Sequence, residues 1–103
     1  MTKPVLLSRV AREELLLAAK RYGLERGDLR AQFLRAIDDA LERVAKYAPH
    51  LAMSSSEYGE FSIKRVRVRR FPYDVYFFEL PKVLRVIAVA HQQRAPKYWQ
   101  ARR

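Results

Sequence analysis

The spacing of apolar residues changes twice along the chain, and each change marks a new kind of element. Val5, Leu6 and Leu7 form a short apolar run, which predicts a strand over 4–8. Ser8 then has the chemistry to cap a helix, because its hydroxyl can accept from a free amide in the first turn. Ala11, Leu15, Ala18 and Tyr22 recur at helical spacing and define one buried stripe. Glu13 and Glu14 bring negative charge to the early turns, as the helix dipole favours. Residues 23–27, with a glycine at each end, break the pattern, and Asp28 is the expected cap of a second helix. Phe33, Ile37, Ala40, Val44 and Ala48, with Leu41, form its stripe, and Pro49 ends it. So short a connection predicts an antiparallel helical hairpin.

Beyond Pro49 the pattern loses its period. His50–Gly59, with three consecutive serines, reads as a loop. The period then becomes two. Ile63–Phe71 predicts a strand with Val66 and Val68 on one face and Arg65, Arg67 and Arg69 on the other. Pro72 marks a kink, since it cannot donate to a sheet ladder. Tyr73–Leu80 is apolar or aromatic on both faces and predicts a second strand of this group. Pro81 and Lys82 make a turn, and Val83–Ala90 predicts a last, central strand. A basic tail, His91–Arg103, follows. The order β-α-α-β-β-β predicts an α+β domain over 1–103, with the helical hairpin packed on a small, mostly antiparallel sheet.

Composition narrows the function. The chain has 103 residues, 50% of them hydrophobic, which is too apolar for a disordered polycation. It has no cysteine, so disulfides and thiolate chemistry are excluded. No apolar run is long enough to span a bilayer, and 1–8 lacks the pattern of a secretory signal. His50 and His91 have no ligand-spaced neighbour, so neither a metal site nor a cofactor is expected. Asp38 and Asp39 fall on a solvent face of the second helix, and there is no glycine-rich phosphate loop.

The net charge of +10 is concentrated at one end. Residues 1–60 carry a net +1 and residues 61–103 a net +9. Such asymmetry points to a polyanionic or acidic partner. The densest feature is Lys64-Arg65-Val66-Arg67-Val68-Arg69-Arg70. Alternate strand residues stand about 7 Å apart, and guanidinium groups so spaced suit successive carboxylates or phosphates. The same face could equally keep an edge strand soluble. Arg94, Lys97, Arg102 and Arg103, with Tyr98 and Trp99 between them, form a second basic patch. Its aromatics can stack on bases or anchor the tail on the sheet; for Trp99 the anchor is favoured. Val10 and Leu17 fall opposite the first helix's stripe, where they either cover a partner or pack within the hairpin.

Two segments carry a family resemblance: 69–76, RRFPYDVY, and 87–99, IAVAHQQRAPKYW. With the element order, they resemble the RelE/ParE superfamily of toxins from bacterial type II toxin–antitoxin modules, whose signatures include FPY and AVAH-x-x-R-x-P-x-Y-W. The resemblance spans almost the whole chain. It implies a cytoplasmic toxin, of the plasmid-stabilisation kind, bound in a hetero-oligomer by a cognate antitoxin with an acidic C-terminal segment. Arg65, Arg67, Arg69, Arg70, Arg94, Lys97, Tyr98, Trp99, Val10 and Leu17 are the candidate contacts with antitoxin or target.

The RelE-like branch cuts mRNA on the ribosome. Aligned by motif, Arg65 and Arg67 match its basic pair and Tyr98 its tyrosine, while two expected arginines fall at Asp74 and Gln92. An aspartate repels a scissile phosphate, and a glutamine lacks the charge that stabilises the transition state. The ParE-like branch, whose characterised targets include DNA gyrase, is therefore favoured. The alternative is a ribosome-dependent endonuclease using Arg65, Arg67, Arg94 and Tyr98.

Overall fold

The computed structural model describes residues 3–48, 53–58 and 61–93. Two helices, α1 (Arg9–Glu25) and α2 (Gly27–Tyr47), lie between β1 (Val5–Leu7) and a run of four strands. These are β2 (Met53–Tyr58), β3 (Phe61–Arg67), β4 (Tyr73–Glu79) and β5 (Leu84–His91). They form one five-stranded sheet in the order β1-β5-β4-β3-β2. β1 runs parallel to β5, and the other pairings are antiparallel. The α+β class and the β-α-α-β-β-β frame hold, with one strand more than the sequence pattern predicts.

That extra strand corrects the loop expected over His50–Gly59. Met53–Tyr58 pairs with β3 through a bulged register, Met53 opposite Lys64 and Tyr58 opposite Phe61. The serines carry no strand pattern of their own, and the open edge of β3 supplies the backbone partners that their side chains do not advertise.

Ser8 caps α1 as its chemistry predicts: its Oγ accepts from the Ala11 amide at 3.1 Å. The first helix runs through Gly23 and Leu24, so the break is shorter than 23–27. Only Arg26, in extended backbone, separates the helices. Gly23 belongs at their crossing, because a Cβ there would lie 3.3 Å from the Arg30 Cβ. Arg26, not Asp28, is the N-cap of α2. Asp28 sits inside the first turn, where it accepts from Arg26 at 2.8 Å and Gln32 at 2.8 Å.

The hairpin's stripe meets one face of the sheet. Ala11, Leu15, Ala18 and Ala19 of α1, and Phe33, Ile37, Ala40 and Val44 of α2, pack on Val66, Val75, Phe77, Val86 and Val89. The small alanines let α1 lie close to β5. Tyr22, Phe33, Phe71 and Tyr73 close one end of this core, with ring centroids 5.0–6.2 Å apart. Burial, then the neighbouring Tyr73 and Glu25, push the Tyr22 hydroxyl up.

The opposite face holds a second buried cluster, Ile63, Phe78, Ile87 and Ala88. A bulge makes this possible. Tyr76 pairs with Ala88 but Phe77 with Val86, so Ile87 is an extra residue in β5. It shifts the alternation: Leu84 and Val86 face the helices before it, and Val89 faces them after it.

Candidate functional site

The shifted alternation decides what gathers on the face away from the helices. There, Arg67 of β3 is paired across the sheet with Asp74 of β4, and Arg65 with Tyr76. Beyond the bulge, Asp74 is paired with Ala90. Gln92 follows two residues later, with its amide bound to the Pro72 carbonyl at 2.8 Å. These registers bring three side chains to one carboxylate. Arg65 Nη1 lies 3.9 Å from Asp74 Oδ2, and Arg67 Nε lies 3.9 Å from Oδ1. Gln92 Nε2 donates to Oδ1 at 3.3 Å.

The carboxylate is the buried member. Asp74 is only 4% exposed, whereas the Arg65 and Arg67 side chains are 49% and 70% exposed. Asp74 lies at ion-pair distance from one edge of each guanidinium, and both arginine side chains stay largely in solvent. One buried negative charge under two exposed positive ones leaves a net positive surface suited to carboxylates or phosphates.

Arg69 does not join them. The sequence pattern puts it on the strand face of Arg65 and Arg67, but β3 ends at Arg67. The Val68 amide donates to the Tyr73 carbonyl at 2.9 Å and begins a turn. Within that turn Arg69 reaches α2, its Nη1 3.8 Å from Asp39 Oδ2. Arg43 completes the contact, donating to Asp39 at 3.0 Å and to the Arg67 carbonyl at 2.8 Å. Asp39, expected on a plain solvent face, is thus the hinge between α2 and the β3–β4 turn. Arg70 follows with a φ of 73°.

Val10 is half-buried, while Leu17 is 56% exposed, beside Leu16 at 50%. Leu17 lines a small hollow of about 190 Å³ with Glu14, Arg21, Tyr73, Val89 and His91. This hollow is on the helix side of the sheet, apart from Arg65 and Arg67. Glu14 Oε1 accepts from the Val89 amide at 3.1 Å, so the carboxylate caps β5 where β1 no longer covers it. Seventy-five positions separate the two residues, and no local sequence signal links them. Arg94, Lys97, Tyr98, Trp99 and His50 lie outside the described residues. His91 packs edge-on against Tyr73, ring centroids 5.2 Å apart. Among the described residues, no cluster of three or more His, Asp or Glu is placed to hold a metal ion, and no helix is long and apolar enough to cross a membrane.

No model of a known protein family matches the chain, and neither does any curated protein. A solved structure does. The chromosomal ParDE TA system from P. aeruginosa contains a chain that superposes with a TM-score of 0.72 at 15% identity, covering 87% of this chain and 96% of that one. A likeness of that extent at that identity establishes a ParE-like fold.

Proposed function

We propose that this chain is the toxin of a type II toxin–antitoxin module, held inactive by a cognate antitoxin, and that it inhibits DNA gyrase by protein–protein contact rather than by cutting RNA. The observation that carries the reading is the cluster on Asp74. The residues at the two positions where the RNA-cutting branch carries arginine are here a buried carboxylate and the neutral amide bonded to it. Neither can offset the charge that builds up on a phosphate during cleavage. Of the cations that the nuclease alternative would use, the two within the described residues, Arg65 and Arg67, share that same carboxylate.

The ParE-like fold supports the toxin reading. The net +9 of residues 61–103 supports an acidic antitoxin, whose disordered segment gains charge-assisted contacts as it orders on docking.

Purified protein in supercoiling and cleavage-complex assays with gyrase tests the target. Inhibition at modest molar excess, relieved by the antitoxin, is the expected result. Growth arrest on expression together with an unaffected gyrase overturns it, and ribosome-dependent mRNA cleavage by toeprinting would replace it with the nuclease reading.

A further inference from the structure

On the other side of the β3–β4 turn from Arg65 and Arg67 is a cleft of about 380 Å³, lined by α2 and by Arg69, Arg70 and Phe71 of the turn. Its α2 wall carries Leu29, Gln32, Arg35, Ala36 and Asp39. Leu29, Ala36 and Phe71 give it an apolar floor. Its polar groups divide sharply. Gln32 is bound to Asp28, and Asp39 is shared by Arg43 and Arg69. No carboxylate among the described residues pairs with Arg35 or Arg70, and both are exposed. One stands on each wall.

The backbone at Arg70 adds an independent observation. Its φ of 73° is a left-handed conformation that costs a non-glycine residue on the order of 1 kcal/mol. A glycine would relieve that cost and forfeit the guanidinium. Strain of this kind gathers where a side chain must be presented in a set direction, and here it presents a cation at the rim of an apolar cleft.

From this arrangement we propose that the cleft is a docking site for an acidic, amphipathic protein segment: an apolar side chain on the Leu29–Ala36–Phe71 floor, with carboxylates against Arg35 and Arg70. A phosphate chain fits less well, because Leu29, Ala36 and Phe71 give the cleft an apolar floor that carboxylate-flanked apolar side chains match and a phosphate chain does not. As the seat of an antitoxin segment the cleft rests on the toxin–antitoxin reading above; its binding of such a peptide does not.

The test uses the full chain and a labelled glutamate–leucine peptide, followed by fluorescence anisotropy at low and moderate salt. The peptide is expected to bind saturably, more weakly as salt rises. Arg35→Glu with Arg70→Glu should weaken it roughly tenfold, as reversal of paired charges does at interfaces. Arg12→Glu with Lys20→Glu makes the same charge change on exposed α1 positions and should weaken it far less. Leu29→Ser should weaken it as well. Equal losses in the two double variants, equal binding of a glutamate–serine peptide, or tighter binding of oligothymidylate would each overturn the site. Amide chemical-shift mapping on the unaltered protein gives a readout independent of variant folding. Changes centred on Leu29, Gln32, Ala36 and Phe71 support the cleft, and changes centred elsewhere refute it. Because neither gyrase nor antitoxin is present, failure here leaves the toxin reading untouched, and the reverse also holds.

Discussion

Gln92 donates its side-chain amide to Asp74 at 3.3 Å, so the two residues that the motif alignment sets where the RNA-cutting branch has arginine are partners of one another. The bond depends on the bulge at Ile87, which brings the even-numbered residues after it onto the face of Asp74. The carboxylate also faces Arg65 and Arg67, and that makes a first prediction. Asp74→Asn keeps the side chain's shape and an acceptor for Gln92 but frees both guanidinium groups. The variant should elute from heparin at higher salt than Asp38→Asn, which removes the same charge from an exposed position on α2. Identical elution would mean that Asp74 does not restrain the arginines.

Glu14 provides a second prediction, this time on stability. Its carboxylate accepts from the Val89 amide on the stretch of β5 that β1 leaves uncovered. Glu14→Ala removes that acceptor and should cost about 1–2 kcal/mol, the usual penalty for an unsatisfied, partly buried donor. Glu14→Gln retains an oxygen and should cost less. Urea denaturation measures both, and hydrogen exchange at the Val89 amide should quicken in the alanine variant alone.

The contrast between Glu14 and Arg65 shows which parts of this molecule are local. Arg65 and Arg67 alternate with buried valines, so their face is legible from period alone. The same holds for the stripes of α1 and α2, and for the cap at Ser8. Glu14 and Val89 meet only through tertiary packing, and Asp74 meets Gln92 only because one extra residue resets the phase of β5. Arg69 illustrates the opposite failure. The period of two continues through it, but the backbone has already left the sheet at Val68. Strand β2 was hidden for a third reason: its serines form a strand because an edge was waiting, not because their own pattern asks for one. The candidate site is therefore legible in its cations and not in the carboxylates beside them.

Arg70 separates strain from charge. Arg70→Gly should raise stability by up to about 1 kcal/mol, less whatever the freer unfolded glycine takes back. Arg70→Val should lower it, since a β-branched side chain tolerates positive φ least. Thermal unfolding ranks the three proteins. A glycine variant less stable than the parent would show that the arginine side chain contributes more to the turn than its backbone costs.

The last prediction concerns acid. Lys3, ahead of β1, donates to Glu79 Oε2 at 2.7 Å and to the Leu80 carbonyl at 2.9 Å, fastening the start of the chain to the β4–β5 turn. That hydrogen bond holds the Glu79 carboxyl below the usual glutamate range; partial burial opposes the shift, and the charges of Lys3 and Lys64 assist it. A carboxylate depressed on folding stabilises the folded state above the pKa it has when unfolded, about 4.3. The benefit is lost as pH falls through the folded value. Both partners are about one-third exposed, so solvent screening limits the pair to roughly 0.5 kcal/mol. Lys3→Ala should therefore be less stable than the parent by about that much at neutral pH and low salt. The gap should close once the pH has fallen below the folded value, where Glu79 is protonated in both states. Raising the salt at neutral pH should narrow it too, because the pair is within reach of counterions. A gap that stayed constant through the acid range would assign the effect to the Leu80 carbonyl contact, which does not titrate, and not to the ion pair.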